Sequence, residues 1–300
     1  MRVTILGGGF GLYGYLPAVL GLGADVVLAE RYRSIVARRV ELAPLATRVS
    51  WAVDEREAVA GAAAVIVARR PVDQADLIAE LLAKPNVRRL LLEKPLAPGP
   101  DAAMRLQDQL EASGRIVRVG YTFPFTGWGR DLVARPGASR DDIGMRWTFR
   151  AHHYATKQAN WKRLHSEGGG ALRFYGIQLI GLLARLGFDR VEASAIAASD
   201  PDEAEDWRAT ITAGGGARCT VELRSRAEPA EFAVTAPATG IRLSRSDPFD
   251  DPVGADGFDR RVPVLSALCR EWLGADASPQ HWYRDTIALW KAIEAVTVRG

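Results

Sequence analysis

The first thirty residues constrain this chain most. Met1–Leu6 is an apolar run that reads as a buried strand, and Gly7-Gly-Gly-Phe-Gly11 reads as a turn. Leu12–Leu22 fits a helix, and Ala24–Ala29 a second strand that ends in Glu30. Strand, glycine turn, helix and strand, with an acid about twenty residues beyond the glycines, is the order a dinucleotide site requires. Glycines let the backbone approach a pyrophosphate. The helix N-terminus offers N–H groups and partial positive charge, and the acid accepts hydrogen bonds from a ribose diol. The spelling departs from G-x-G-x-x-G: counted from Gly7, the second glycine is Gly9 and Leu12 stands at the third position. The candidate cofactor contacts here are Gly7, Gly9, Phe10, Gly11 and Leu12, with Glu30 for the ribose. The alternative is a tight strand–helix turn that binds nothing.

The pattern continues. Arg31–Val40 reads as an amphipathic helix, Arg48–Val53 as a strand, and Ala62–Ala68 as an apolar strand of the kind buried on both faces. Glu30 suits a free 2′-hydroxyl and Arg31 beside it a 2′-phosphate, so the lean is to NAD over NADP. After Ala68, Arg69-Arg70-Pro-Val reads as a turn before a helix, Gln74–Ala83. The two arginines fall at the carboxyl edge of the sheet, where they could meet phosphates or simply be solvated. Val87–Leu92 is a further strand running into Glu93-Lys94-Pro95; desolvation there would lower the pKa of Lys94 and suit it to proton transfer or to polarising a carbonyl. The helix Asp101–Ala112 and the strand Ile116–Phe123 complete a doubly wound parallel sheet with right-handed crossovers. The dinucleotide domain is expected over 1–122.

From residue 123 the texture changes. Pro124–Arg130 reads as a linker, followed by a short helix and a turn at Arg135-Pro-Gly-Ala. Strand-like segments then dominate: Met145–His152, Arg190–Ala197, Trp207–Ala213, Ala217–Arg224, Glu231–Ala236 and Gly240–Ser244. One long helix, Gly170–Leu186, lies between the first two. Asp247–Arg261 reads as a loop, and helices Val262–Leu273 and Gln280–Val298 close the chain. His152 and His153 adjoin in a predicted strand, so they are expected on opposite faces. The second domain, 123–300, is thus α+β with a mostly antiparallel open sheet whose free face is expected to mediate association. A net charge of +3 spread along the chain argues against a nucleic-acid partner. Cys219 and Cys269 have no metal or disulfide spacing and read as reduced thiols. No apolar run approaches a membrane span and Met1 leads directly into a strand, so a cytoplasmic protein is expected. No Ser-His-Asp set, metal cluster or Gly-Lys-Thr phosphate loop competes.

The glycine turn, Glu93-Lys-Pro-Leu-Ala97, Gly120-Tyr-Thr-Phe-Pro-Phe125, Trp161-Lys162 and Gly168-Gly-Gly-Ala-Leu172 run through nearly the whole chain. On these residues it resembles the family of glucose–fructose oxidoreductase, inositol dehydrogenase and MocA. The resemblance implies NAD or NADP, hydride transfer at a hydroxyl-bearing carbon of a sugar, cyclitol or nucleotide sugar, and homodimers or homotetramers through the open sheet. It places Lys94 near the reacting hydroxyl and Trp161 and Lys162 near the cofactor; Arg31, Ala68, Arg69, Arg70, Glu93 and Lys94 are the further candidate cofactor contacts. It departs where the family's helix carries an Asp and, four residues on, a His. Here those positions are Phe174 and Gln178, with Gly181 where another Asp is common. Gln74 replaces a frequent histidine, and Pro124 an arginine or other polar residue. Glutamine hydrogen-bonds but is no general base, and such a group is worth roughly 10²–10⁴-fold in rate.

Lys94 is therefore the expected proton and electrostatic group, Gln178 orients substrate, and Tyr175 is a candidate substitute. Tyr121, His165 and Phe174 are the candidate substrate contacts; no metal is expected. The expected function is an NAD(P)-dependent oxidoreductase acting on a small polar carbonyl, imine or hydroxyl compound. Two alternatives stay open. One is a protein that keeps the nucleotide for non-redox chemistry or sensing; the other is a catalytically silent partner subunit, which would need an exposed apolar sheet face and an empty cleft.

Overall fold

The computed structural model describes residues 1–135, 141–249, 257–275 and 277–300. Most of the turn expected at 135–138, and the middle of the loop expected at 247–261, lie outside these residues. In chain order the first elements are β1 (Arg2–Leu6), a π-helical turn (Gly11–Tyr15), α1 (Leu16–Gly21), β2 (Asp25–Ala29), α2 (Arg33–Arg38) and β3 (Val49–Ala52). There follow α3 (Glu55–Ala60), β4 (Ala64–Val67), α4 (Pro71–Leu82), β5 (Arg89–Leu92), α5 (Pro100–Ala112) and β6 (Ile116–Val119). The second half begins with α6 (Gly127–Ala134), β7 (Ile143–Arg150), α7 (His152–Ala155), a π-helical turn (Ala171–Gly176) and α8 (Ile177–Arg185). It ends with β8 (Phe188–Ala197), β9 (Asp206–Ala213), β10 (Arg218–Arg224), β11 (Arg226–Ala236), β12 (Ile241–Arg245), α9 (Val262–Leu273), α10 (Trp282–Val296) and β13 (Thr297–Arg299).

The chain packs as two units. One comprises Met1–Leu96, Asp108–Phe125 and Asp251–Gln280; the other comprises Ala97–Gln107, Thr126–Asp250 and His281–Gly300. The first holds a six-stranded parallel sheet in the order β3-β2-β1-β4-β5-β6. The strands read as apolar runs because helices cover both faces, and every residue of β4 is buried. Arg69-Arg70-Pro71 does not form a separate turn before the helix: Pro71 is the first residue of α4, where its missing N–H costs nothing. The expected linker Pro124–Arg130 is also corrected. Phe123, Pro124 and Phe125 are buried in a 3₁₀ turn, and Thr126 caps α6 by accepting from the Gly129 N–H at 3.0 Å.

The second unit holds a seven-stranded sheet, β12-β11-β7-β10-β9-β8-β13, antiparallel except for β7 with β10 and β8 with β13. Trp147, Trp207, Leu223 and Phe232 bury its inner face, and α10 packs along β8 and against α8. The last helix stops at Val296, short of the Val298 expected, and Thr297–Arg299 pair with Ser194–Ile196. Helical spacing in a single segment carries no signal for a three-residue strand whose partner lies a hundred residues away. The outer face carries cross-strand ion pairs: Arg146 with Glu222 and Glu231, Arg208 with Glu222, and Arg218 with Glu192. Among the described residues it is a charged surface, not the apolar one a silent partner subunit would present.

Candidate functional site

In the first unit the carboxyl ends of four strands line up. The ladder continues past them through Ala68 N–H to Leu6 O (2.9 Å), Glu93 N–H to Val67 O (2.8 Å) and Gly120 N–H to Leu92 O (2.8 Å). Gly7, Ala68, Glu93 and Gly120 therefore stand in register along one edge, at the point where the strand order reverses. In doubly wound sheets this is where ligands bind.

The glycine turn is demanded by close packing. A Cβ on Gly7 would lie 2.2 Å from the Ala68 carbonyl oxygen, and φ there is +147°. A Cβ on Gly11 would lie 2.9 Å from Ile5 and 3.1 Å from the Ala68 methyl. Gly9 differs: nothing lies within 4 Å of a Cβ built there. Space is open above Gly9, and the amides of Gly9, Phe10 and Gly11 begin the helix, where N–H groups lack intrahelical acceptors. Leu12, at the third-glycine position, is fully buried, and its N–H goes to Gly9 O at 2.9 Å. Its side chain belongs to the core. The Phe10 ring packs on Tyr13 and Tyr15 with the Arg261 guanidinium 4.3 Å above it.

Four partners of this edge were not legible in the sequence. Tyr32 Oη accepts the Gly7 N–H at 2.9 Å and donates to Glu55, which also takes Arg31 at 2.7 Å and Arg69 at 2.6 and 2.8 Å. Arg70 pairs with Asp73 at 2.8 Å across the first turn of α4. Glu30, at the end of β2, is held by Arg33 at 2.6 and 2.9 Å, so Arg31 turns away from it. Burial, reinforced by Glu55, raises the Tyr32 phenol above its ordinary pKa.

Glu93 is buried and accepts from the Tyr15 hydroxyl at 2.5 Å. This pair fits only because residue 120 is glycine, since a Cβ there would lie 2.6 Å from Glu93 Oε1 and 2.9 Å from the Tyr15 oxygen. Burial raises the Glu93 carboxyl pKa, opposed by the Lys94 charge and by the Tyr15 bond. Lys94 is half-buried two residues beyond β5, before a cis proline. Gln74, at the position where the family resemblance implies a frequent histidine, is fully buried. Its amide donates to the carbonyls of Glu93 (3.1 Å) and Pro95 (2.9 Å), so it holds the backbone on either side of Lys94. Tyr121 is buried directly after Gly120.

The second unit gathers Trp161, Lys162, Phe174 and Tyr175. Trp161 meets Phe174 edge-on at 5.3 Å, with Lys162 Nζ 5.4 Å from the same ring. Tyr175 packs against Phe174 (4.8 Å), Phe149 (4.7 Å) and Trp147 (5.8 Å). The helix expected over Gly170–Leu186 opens with a π-helical turn, a feature frequent at functional sites, and Gln178 follows it, buried. His152 and His153 are not in a strand, because β7 ends at Arg150 and α7 begins at His152. His153 is buried with its ring parallel to Tyr175 at 6.4 Å, and its Nε2 has no partner among the described residues. Burial, with the Lys162 and Arg163 charges, lowers its pKa to about 4. It lies beside Tyr175, the candidate substitute proton group, a neighbourhood that the strand reading obscured. His165, expected as a substrate contact, lines a cavity with Arg173 and Arg299. Among the described residues no group of three or more His, Cys, Asp or Glu is placed to hold a metal.

No family model matches the chain, and no curated protein matches it. Solved structures do. A putative myo-inositol dehydrogenase from Sinorhizobium meliloti aligns with 99% of this chain and 96% of its own, at TM-score 0.73 and 16% identity. The WlbA dehydrogenase from Bordetella pertussis, solved with NADH and UDP-GlcNAcA, aligns over 98% and 96% at TM-score 0.71 and 16% identity. KijD10, a 3-ketoreductase from Actinomadura kijaniata solved with NADP and TDP-benzene, aligns over 100% and 98% at TM-score 0.70 and 16% identity. The likeness runs from end to end: the Rossmann sheet followed by an open mixed sheet, the fold that the family resemblance implies, is the fold of this chain.

Proposed function

We propose that the chain is an NAD(P)-dependent oxidoreductase acting on a small polar hydroxyl, carbonyl or imine compound of the sugar, cyclitol or nucleotide-sugar kind. The observation that carries this is the Gly7–Gly11 turn at the reversal of strand order, with open space over Gly9 and helix-first amides behind it. The comparisons support it, since the solved structures of this fold include ones described with NADH or NADP. When bound, the nicotinamide supplies or accepts hydride. Gly7, Gly9, Phe10 and Gly11 contribute backbone to the nucleotide, and Glu30, steadied by Arg33, favours the free 2′-hydroxyl of NAD. Lys94 polarises the reacting oxygen and moves its proton, with Gln74 and Glu93 holding its backbone. On the second unit Gln178 orients substrate, Tyr175 beside His153 is the reserve proton group, and Trp161, Lys162 and Phe174 add binding surface.

A second reading, non-redox chemistry on a bound nucleotide, is favoured by Phe174: Trp161 and Lys162 sit on its ring where the family carries an acid. Self-association through the seven-stranded sheet and a cytoplasmic location go with either reading. In this chain that association would bring paired arginines and glutamates together rather than apolar side chains. No described helix is long and apolar enough to cross a membrane.

The test is titration of the full chain with NADH and, separately, NADPH, followed by nicotinamide fluorescence and by quenching of the eight tryptophans. Saturable binding, tighter for NADH, is expected. No binding of either nucleotide, or of its oxidised form, overturns both readings.

A further inference from the structure

The second unit holds a half-open cavity of about 140 Å³ beside β13, lined in part by His165, Arg173, Glu294, Thr297 and Arg299. It has room for about five water molecules. Three of these five polar groups are satisfied by one another or by neighbours. Glu294 accepts from Arg173 at 2.7 and 2.6 Å and from Trp290 Nε1–H at 2.7 Å, so that ion pair leaves no net charge. Thr297 Oγ1 donates to Ile293 O at 2.7 Å and shares a 2.7 Å hydrogen bond with Ser194 Oγ.

The other two groups keep hydrogen-bonding capacity that the protein does not use. Arg299 donates to the Pro201 carbonyl at 2.8 Å and, among the described residues, forms no ion pair. His165 is 7% exposed, and its Nδ1 has no hydrogen-bond partner among the described residues. A buried ring nitrogen without a partner forfeits free energy that a bound ligand would restore. The Arg299 guanidinium lies near it; the Asp202 carboxylate, close enough to act on both, already accepts from the Ser166 N–H (3.0 Å) and hydroxyl (2.7 Å), and the guanidinium fork matches the geometry of a carboxylate or phosphate.

We propose that this cavity binds a small oxyanion between the Arg299 guanidinium and His165 Nδ1. The imidazole takes part as a neutral donor with its proton on Nδ1. Burial and the charges of Arg173 and Arg299 keep it neutral, with a pKa of about 3 in the empty cavity. The oxyanion is either a free inorganic ion or the acidic group of a larger molecule. A larger molecule would extend into the neighbouring cleft of about 470 Å³, which shares Arg173 and Glu294 and adds Arg105 and the Lys291–Asp101 ion pair (2.8 Å). The proposal is independent of the dinucleotide reading, because neither cavity includes a residue of the glycine turn.

The test is calorimetric titration of the full chain, without nucleotide, with inorganic phosphate, sulfate, acetate and glycerol phosphate at constant ionic strength. Imidazole NMR of the four histidines is followed in parallel. Saturable binding of phosphate with a shift confined to His165 is expected. Arg299→Gln and His165→Gln should each weaken it about tenfold, the worth of one charge-assisted bond, whereas Arg242→Gln should not. Tighter binding of glycerol phosphate than of phosphate would assign the group to a larger ligand, and equal affinity to a free ion. No saturable binding of any probe, or equal affinity in both variants and the parent, overturns the proposal. If His165→Gln fails to fold, Arg299→Gln, on an exposed terminal strand, decides alone.

Discussion

Removing one oxygen at the edge of the parallel sheet exposes the energetics of the Glu93 knot. Tyr15→Phe takes away the 2.5 Å donor to a buried carboxylate. The ring that remains blocks water from replacing it, because Gly120 leaves no spare volume beside the pair. A hydrogen bond to a charged group is worth about 1.5–3 kcal/mol, against roughly 1 kcal/mol for a neutral one. Where Glu93 is ionised the variant should therefore lose about 2 kcal/mol, and about 4–8 °C in Tm at 2–4 °C per kcal/mol. The sign of the pH dependence follows from Glu93. Burial raises its folded pKa above the ordinary 4.5, and losing the Tyr15 bond raises it further. Above the unfolded pKa the folded state then holds a proton that the unfolded state has released. Stability accordingly falls as pH climbs through the folded value, and it falls further in the variant. Urea unfolding of both proteins from pH 4 to 8 measures this. The cost should shrink to about 1 kcal/mol at the acid end, where both states carry neutral Glu93. A cost independent of pH, or one under about 0.5 kcal/mol at pH 8, would refute the reasoning.

Gly7→Ala forces a methyl to 2.2 Å from the Ala68 carbonyl oxygen at a φ of +147°; the backbone must shift, so expression of folded protein or saturable NADH binding should be lost, and an unaltered affinity would contradict the close packing described. Lys94→Ala should lower turnover by at least about 10²-fold while leaving NADH affinity within a few-fold, and undiminished turnover would remove Lys94 from the proton step. His153 is folded with a pKa of about 4, below its ordinary 6.5. Its neutral form therefore stabilises the fold fully above pH 6.5, and that contribution is lost as pH falls toward 4. His153→Gln should flatten the stability profile over that window in urea titrations; an identical slope would place the imidazole in contact with water.

The doubly wound sheet was legible because its cause is local. Runs such as Ala64–Val67 and Leu90–Leu92 are apolar without alternation, and only strands covered on both faces tolerate that. The glycine turn was legible for a similar reason, since Gly7 and Gly11 leave no room for a side chain. The strands of the second sheet could be read from their alternation, but their order could not, because β7 pairs with β10 and β11 across intervening elements.

The tertiary structure alone decided what each candidate side chain does. Leu12 goes to the core and Gln74 to the carbonyls around Lys94. Arg69 and Arg31 go to Glu55, and His165 goes to the Arg299 cavity. Tyr32 reaches Gly7 across 25 residues and Tyr15 reaches Glu93 across 78. Hydrophobic period and turn chemistry act over a few residues and are written in the chain. The partner of a polar group is chosen by whichever donor or acceptor the finished packing brings within about 3 Å, and separation along the sequence carries no record of that choice.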